Sequence, residues 1–226
     1  MVPAAIADFL HARHAAAEVE ILLEARLQEI APAGDGFALA LADGSTIEAD
    51  VVLIGIGAVP RSALAEAAGL AVDGGIIVDA TLATADPDIF AAGDVCAFPH
   101  PMAPGLLRLE CWKNADAQGA LAARNMLGAG EVSADVPWFW SDQYELTFQM
   151  AGTPERGERA VERDVGAEAL MLFHLDRAGR LVGVSGVGPL GLGRDLRIGQ
   201  LMIERGLAPD QAALGDPATR LKALLR

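Results

Sequence analysis

The hydrophobic pattern of this chain changes between residues 130 and 137, and that change limits the architectures open to it. Before the change, a continuous apolar run at residues 49–56 indicates a strand buried on both faces, as in a parallel sheet, and a strong helix is predicted over residues 114–127. After it, antiparallel strands are predicted at residues 137–151, 159–161, 169–175 and 181–187. The sequence therefore predicts an α/β part followed by an α+β domain with an antiparallel sheet.

Local signals predict further elements on both sides of that change. Asp43-Gly44 between two apolar runs indicates a hairpin, and Ser62 is a candidate N-cap for a short helix that ends at Gly69. Helices are also predicted at residues 4–17, 195–204 and 218–224, and short strands at residues 19–23, 76–78 and 89–92. Because a parallel βαβ sheet normally starts with a strand, the opening helix leads us to expect that part of the fold lies upstream of this chain.

Composition and charge argue against several classes of function. The longest apolar run covers about residues 51–60, which is too short to span a bilayer, and no secretory signal is visible. The net charge of −14 argues against nucleic acid or an anionic membrane as partner. Residues 1–130 carry −11 of that charge and residues 131–226 only −3, so the second part is less hostile to an acidic protein partner. Cys96 and Cys111 have neither a CxxC nor a metal-ligand spacing, so we expect reduced thiols in a cytoplasmic protein.

Residues 84–94, TADPDIFAAGD, place Gly93 and Asp94 at the C-terminal end of a predicted short strand. Glycine there lets a ligand approach the backbone closely, and α/β sheets bind ligands at the C-terminal ends of their strands. A carboxylate at that point can accept hydrogen bonds from sugar-like hydroxyls. The same two residues also fit a plain aspartate-capped turn, so both interpretations stay open on physical grounds.

Residues 107–119, LRLECWKNADAQG, form a strand-like piece that leads into a helix near Trp112. A helix N-terminus carries partial positive charge and free N–H groups. An anionic group would be stabilised at that end of the helix. The alternative for Trp112 is an ordinary apolar anchor at a helix start.

Residues 55–60, GIGAVP, end the long apolar run with two glycines and a proline. The glycines permit the close approach of a flat ring or of a neighbouring backbone. A strand-end turn held by glycine and proline explains the same segment without a ligand. The segment is not a phosphate loop, because it contains no GxGxxG between a strand and a helix.

Residues 137–144, PWFWSDQY, begin with three aromatic side chains in four positions. On a strand, Trp138 and Trp140 share one face. A core or sheet-edge aromatic cluster is the alternative to a functional role. The four histidines are isolated from one another or lack further ligands, so we expect no metal site and no catalytic acid or base.

These four segments, in this order, resemble the FAD-dependent NAD(P)H:ferredoxin reductases of the two-dinucleotide-domain flavoprotein family, of the putidaredoxin-reductase-like type. Residues 84–94 are similar to its second FAD-binding motif, and residues 107–119 to its RxExWxNAxxQG segment. Residues 55–60 are similar to its GxGxxPN turn, with Arg61 in place of asparagine, and PWFWSDQY is similar to a signature of its C-terminal domain. The resemblance implies that FAD is bound by Gly93, Asp94, Glu110, Cys111, Trp112, Ala115 and Trp140. It implies that NAD(P)H is bound by Gly55, Ile56 and Gly57.

The resemblance also implies three domains and an electron-transfer function. Residues 1–70 correspond to the later part of a Rossmann-like NAD(P)-binding domain, residues 71–132 to the returning part of the FAD-binding domain, and residues 133–226 to the C-terminal α+β reductase domain. The parent protein is expected to move hydride from NAD(P)H to FAD, and single electrons from FAD to a [2Fe–2S] ferredoxin that serves an oxygenase or a cytochrome P450. We expect the iron–sulphur cluster to belong to that partner.

The chain departs from the family in one large respect, because the two N-terminal glycine-rich dinucleotide loops are expected upstream of Met1. We therefore expect that this polypeptide alone does not hold FAD tightly or turn over NADH, and that it self-associates as a homodimer through unpaired strand edges. Two other functions stay open. One is a rubredoxin reductase or an apoptosis-inducing-factor-like NADH oxidase, and the other is a non-catalytic dimerisation or docking module.

Overall fold

The computed structural model describes residues 2–226, and its contacts divide the chain into two compact units. One unit comprises residues 8–59, and the other comprises residues 60–226 with the N-terminal stretch up to Ala7. The predicted first helix is confirmed as α1 (Ala4–Ala16). No helix in the described part of the chain is long and apolar enough to cross a membrane. The three-domain division proposed from the sequence stays a prediction.

The unit of residues 8–59 is built on a three-stranded antiparallel sheet in the order β1–β2–β3. Its strands are β1 (Leu27–Ala33), β2 (Gly36–Leu41) and β3 (Thr46–Ala49). The predicted hairpin is confirmed: the Asp43 carboxylate accepts hydrogen bonds from the Ser45 backbone N–H at 2.9 Å and from the Ser45 hydroxyl at 2.6 Å. Gly44 adopts a φ of +88°, which glycine reaches without strain. The predicted strand at residues 19–23 is wrong, because those residues form no strand.

The predicted buried strand at residues 49–56 is also wrong. Residues 51–62 have no helix or strand, and the side chains of Leu53 and Ile56 are 96% and 92% exposed. A strand buried on both faces needs hydrogen-bonding neighbours and covering helices. The one sheet described within residues 8–59 ends its pairing at Ala49, so this apolar segment has nothing to pair with in its unit.

The larger unit begins with α2 (Ala63–Ala67) and a small mixed sheet. Ser62 occupies the N-cap position of α2 as predicted, but its hydroxyl makes no capping hydrogen bond and donates to the Glu66 carboxylate instead. In the sheet, β4 (Ile76–Ile77) is parallel to β5 (Cys96–Pro99), which pairs antiparallel with β6 (Leu106–Leu107). This sheet and the following helix share one apolar core, which contains Val78, Leu82, Ala91, Cys96, Phe98, Leu121 and Ala122.

The helix that packs on this core is α3 (Trp112–Met126), which confirms the prediction and starts two residues earlier. The predicted strand at residues 89–92 is wrong, since Phe90 makes only an isolated bridge with Ala83. A short 3₁₀ turn, Gly93–Val95, follows it. The segment before Asp94 is therefore a loop whose place is set by contacts with other elements rather than by a sheet ladder.

The C-terminal part is a five-stranded antiparallel sheet in the order β7–β8–β11–β10–β9. The predicted antiparallel sheet is thus confirmed, but the sequence predicted neither the strand order nor the division of residues 137–151 into two strands. Its strands are β7 (Trp138–Gln143), β8 (Leu146–Gly152), β9 (Arg159–Arg163), β10 (Leu170–Leu175) and β11 (Leu181–Gly188). The helix α4 (Gly193–Glu204) packs on β11 and β8. Gly199 makes that packing close, because a Cβ at this position would lie 2.9 Å from Cγ1 of Val184.

The chain ends in a tail that the sequence predicts only in part. The predicted helix at residues 218–224 is a 3₁₀ segment, Leu221–Leu224, and the short helix α5 (Gln211–Gly215) before it was missed. Asp210 caps α5 by accepting the Ala213 N–H at 2.8 Å. The buried Arg163 of β9 then holds the tail by donating to four of its backbone carbonyls.

Candidate functional site

The Gly93–Val95 turn presents Asp94 at the surface of the larger unit. Gly93 has a φ of +77°, in the left-handed region. A Cβ at Gly93 would lie 3.3 Å from the Cβ of Ala115 on α3, so the turn approaches the helix closely. Two separate requirements, backbone conformation and clearance, therefore select glycine beside the candidate carboxylate.

The first turn of the helix α3 lies beside the Gly93–Val95 segment. Cys111 is the N-cap residue, but its side chain makes no capping hydrogen bond, and its thiol donates instead to the backbone carbonyl of Trp138 at 2.9 Å. Trp112 is 71% exposed, which does not fit an apolar anchor buried at the helix start. The Cys111 side chain does not bond the N–H groups of the first turn, so those N–H groups can bind an anionic group.

Arg108 connects Glu110 with the aspartate turn. Its guanidinium forms an ion pair with Glu110 and donates to the backbone carbonyl of Asp94 at 3.4 Å. Both side chains are partly exposed, so we expect the pair to contribute only about 0–1 kcal/mol to stability. Its consequence is positional, since it keeps one carboxylate, one guanidinium and the Asp94 backbone together. Sequence reasoning did not single out Arg108, although it stands inside the quoted LRLECWKN segment.

The aromatic residues of β7 lie next to the start of α3. Trp138 and Trp140 are stacked, with ring centroids 5.1 Å apart and an interplanar angle of 22°, so the prediction that they share a face is confirmed. The ammonium of Lys113 lies 4.9 Å from the centre of the Trp138 ring, within the range of a cation–π contact. The Cys111 thiol and Lys113 thus both connect the helix start to the strand that carries Trp140.

Gln118 is a buried polar residue that the sequence reasoning missed. Its Oε1 accepts hydrogen bonds from the Gly93 N–H at 2.8 Å and from the Cys96 thiol at 3.1 Å. The only sequence signal was its place in the NAxxQG string, seven residues after Cys111. Its Nε2 has no hydrogen-bond partner within residues 2–226.

Two titratable groups near the turn are kept neutral by burial. Burial raises the pKa of the Cys96 thiol to about 11, so this side chain keeps its proton at neutral pH, with Oε1 of Gln118 at 3.1 Å and the Gly93 carbonyl at 3.3 Å as its acceptors. Burial lowers the pKa of His100, whose Nδ1 accepts the Met102 N–H at 3.1 Å. Cys96 and Cys111 are both unpaired thiols.

The three predicted nicotinamide-side residues lie in the other unit. Gly55, Ile56 and Gly57 belong to the exposed segment after β3, and a Cβ at either glycine would meet no atom within 4 Å. The seven predicted flavin-side residues therefore lie together in the larger unit. At Gly55 and Gly57, no other part of their own unit approaches the backbone closely.

One GxGxxG string does occur, at residues 186–191, which cover the last three residues of β11 and the first part of its connection to α4. Its first glycine is crowded by Leu192, whose Cδ2 would lie 2.7 Å from a Cβ at Gly186. The second is crowded by Ala169, whose Cβ would lie 2.6 Å from a Cβ at Gly188. These glycines are required by side-chain packing around an antiparallel strand, so the string is not a phosphate loop.

Two family models match this chain along most of its length. A model described as pyridine nucleotide-disulphide oxidoreductase matches residues 1–119, and one described as reductase C-terminal matches residues 138–225. The chain belongs to the pyridine nucleotide-disulphide oxidoreductase family. In family terms, the Cys111–Trp138 hydrogen bond joins the two matched regions, because Cys111 lies in the first and Trp138 in the second.

Relatives within the family are reductase components of oxygenase systems. The chain is 39% identical over 225 residues to the ferredoxin–NAD(+) reductase component of the anthranilate 1,2-dioxygenase system of Burkholderia cepacia, covering 99% of this chain and 55% of that protein. Its fold matches the ferredoxin reductase for the CYP199A2 system from Rhodopseudomonas palustris with a TM-score of 0.89 and 31% identity, over all of this chain and 55% of that one. It matches the reductase of the covalent putidaredoxin reductase–putidaredoxin complex with a TM-score of 0.90 and 29% identity, over all of this chain and 54% of that one.

These matches confirm the predicted family and the predicted fold class, in which α/β nucleotide-binding parts precede an α+β reductase domain with an antiparallel sheet. The chain spans about half the length of the relatives it matches. Six of the seven predicted flavin-side residues lie in the region matched by the oxidoreductase model, and Trp140 lies in the reductase C-terminal region.

Proposed function

We propose that this chain is the flavin-side and partner-side portion of an FAD-dependent NAD(P)H:ferredoxin reductase serving an oxygenase or a cytochrome P450. The proposal rests on one observation: Asp94, the uncapped start of α3 and the Trp138–Trp140 stack lie together. The contacts of Arg108 and Cys111 connect these three features. The relatives support the same activity, because they are reductase components that act with ferredoxins or oxygenases.

The side chains and backbone groups at this place fit one end of FAD. We propose that the exposed Asp94 carboxylate accepts hydrogen bonds from the ribityl hydroxyls, and that Gly93 gives the clearance. The N–H groups at the start of α3 stabilise negative charge on the ring system, and Glu110 stays oriented by Arg108. The orphaned Nε2 of Gln118 is consistent with a further polar group beside the turn.

FAD, when bound, supplies a redox group that takes up two electrons as hydride and can give them up one at a time. The protein's own part is to orient and shield. Trp140 is 36% exposed on a face stacked with Trp138, so we propose that it covers the flavin and faces the [2Fe–2S] ferredoxin. We propose that Gly55, Ile56 and Gly57 lie by the nicotinamide of NAD(P)H.

We further propose that the 226-residue chain alone holds FAD weakly, does not turn over NADH and self-associates as a homodimer in the cytoplasm. Weak binding is supported by the packing of its one GxGxxG string, whose first two glycines are crowded by Leu192 and Ala169 and so do not offer a phosphate loop. Self-association is supported by the exposed apolar segment around Leu53 and Ile56. Light scattering tests the second point, and a monodisperse monomer would contradict it.

Flavin titration tests the proposed site. Asp94→Asn keeps the size of the side chain and removes the charge, while Asp88→Asn makes the same change at another exposed aspartate six residues earlier. Because a hydrogen bond to a charged group contributes about 1.5–3 kcal/mol, we expect Asp94→Asn to weaken FAD binding about tenfold or more, measured by quenching of flavin fluorescence. We expect Asp88→Asn to leave it unchanged.

Two results would contradict this assignment. Equal dissociation constants for the two variants would remove Asp94 from the site. Unchanged free-flavin fluorescence with the wild-type chain at saturating FAD would instead favour the non-catalytic docking module, which the exposed apolar segment also fits.

A further inference from the structure

We propose that Gln118 is the positioning residue of the flavin site: its amide oxygen holds the Gly93–Val95 turn against α3 and so sets Asp94 relative to the first turn of that helix. This inference rests on the proposed function for its consequence, since it concerns the same cofactor. The hold itself is a property of the chain without any ligand.

The hydrogen bonds of Gln118 single it out. The side chain is 2% exposed, and its Oε1 receives the Gly93 N–H at 2.8 Å across 25 residues of sequence. The same oxygen lies 3.1 Å from the Cys96 thiol, whose proton it shares with the Gly93 carbonyl at 3.3 Å, and Cys96 closes the turn at its other end. One buried oxygen therefore binds both ends of the turn that carries Asp94.

The turn needs such a hold on its N-terminal side, because a sheet supplies one only after the turn, where β5 begins at Cys96. Gly93 enters the left-handed region after an extended Ala92, and the preceding segment makes only a single bridge elsewhere. Without Oε1, the buried N–H of Gly93 would have no acceptor, which is an unfavourable state for a buried donor. The Arg108 contact at 3.4 Å reaches only the carbonyl side of Asp94.

Helical geometry explains why residue 118 can do this. Ala115 and Gln118 are three residues apart, so they lie on one face of α3. Ala115 limits how near the turn can come, with 3.3 Å to a Cβ at Gly93, and Gln118 limits how far it can move away. Because Trp112 belongs to the same rigid helix, the spacing between the helix start and Asp94 is defined by these two contacts.

General stability does not account for an amide at this position. Burying an amide is favourable only when its groups are bonded, and Nε2 of Gln118 has no partner within residues 2–226. An apolar side chain of the same size would avoid that cost but would leave the buried Gly93 N–H without this acceptor. The residue is explained by what Oε1 does for the turn.

The test uses four variants of the full 226-residue chain. Gln118→Met keeps the volume and removes the acceptor, Gln118→Glu keeps an acceptor oxygen, and Gln118→Asn keeps the amide but shortens its reach. The matched control is Asn125→Leu, which removes another buried amide of α3 that bonds Thr81 and Glu131 rather than the turn.

The first readout is hydrogen exchange of the Gly93–Val95 amides, measured by NMR without ligand. We expect Gln118→Met and Gln118→Asn to speed exchange at Gly93 about tenfold, as loss of one hydrogen bond implies. We expect Gln118→Glu and Asn125→Leu to leave Gly93 protected. Protection of Gly93 in both Gln118→Met and Gln118→Asn would overturn the proposal, and so would equal deprotection by Asn125→Leu.

The second readout is the FAD dissociation constant of the same proteins. We expect Gln118→Met to weaken FAD binding about five- to tenfold relative to Asn125→Leu, because Asp94 is no longer held in place. Equal FAD affinity of these two variants would overturn the positioning role. If the wild-type chain binds no FAD, the flavin-binding role proposed for this chain fails, while the exchange data still decide whether Gln118 holds the turn.

Discussion

Arg163 offers the sharpest test of how the C-terminal tail is held. The residue lies on β9 and is 6% exposed. Its Nη1 donates to the carbonyls of Leu214 at 2.9 Å and Asp216 at 2.6 Å, and its Nη2 to those of Pro217 at 3.3 Å and Thr219 at 2.8 Å. We therefore expect Arg163→Met to release residues 214–219 from the sheet.

The magnitude follows from these contacts. A hydrogen bond from a charged donor contributes about 1.5–3 kcal/mol, but four bonds that share one guanidinium are not additive. We expect Arg163→Met to lower the free energy of unfolding by about 3–5 kcal/mol. The free energy of unfolding of Arg163→Lys should lie between those of the wild type and Arg163→Met, because one ammonium cannot reproduce the planar guanidinium that reaches all four carbonyls.

Urea unfolding followed by tryptophan fluorescence measures this change, since Trp138 and Trp140 lie in the same sheet as Arg163. Arg159→Met is the matched control, because Arg159 stands on the same strand with an exposed side chain. The reasoning would be refuted if Arg163→Met lay within about 1 kcal/mol of this control. Limited proteolysis should also cleave the tail of Arg163→Met first.

Two further predictions follow from the same structure. Gly93→Ala should lower the free energy of unfolding by about 1–2 kcal/mol, because the φ of +77° and the 3.3 Å approach to Ala115 both disfavour a side chain. Gly119→Ala, which has open space around it, should leave the free energy of unfolding unchanged or raise it slightly. Urea unfolding measures both variants. The second concerns pH. Burial holds the pKa of His174 below its ordinary value of 6.5, so the unfolded chain binds the extra proton more readily than the folded chain. The contribution of His174 to the free energy of unfolding should therefore be fully present above about pH 6.5 and decrease as the pH drops below that value. Unfolding free energies at pH 7.5 and 5.5 should differ less in His174→Gln, and an equal difference would contradict a role for this histidine, which is bonded to Ser185 at 2.9 Å.

The parts of the fold that the sequence predicts well depend on neighbouring residues. The Asp43-Gly44 hairpin, α3 and the alternating strands of the C-terminal sheet are confirmed because turn geometry, helix hydrogen bonds and side-chain alternation are local. The stacking of Trp138 on Trp140 is equally local, since residues two apart on a strand share a face.

The failures occur where a segment depends on distant partners. Residues 49–56 have the composition of a central strand, but composition supplies no hydrogen-bonding neighbour, and within their unit the pairing ends at Ala49. Residues 89–92 fail for the same reason, because a single bridge cannot sustain a strand. Short terminal elements such as α5 depend on a buried side chain about fifty residues away.

Chain-local chemistry was thus enough to mark Gly93, Asp94 and the start of α3 as candidates, and the resemblance of the four segments to known motifs indicated the family. It could not show that Gln118 reaches back 25 residues to Gly93, or that the Cys111 thiol bonds the carbonyl of Trp138. Those contacts depend on how helix, turn and sheet pack in three dimensions. A hydrogen bond between residues far apart in sequence leaves no periodic or turn signal in the residues on either side of it.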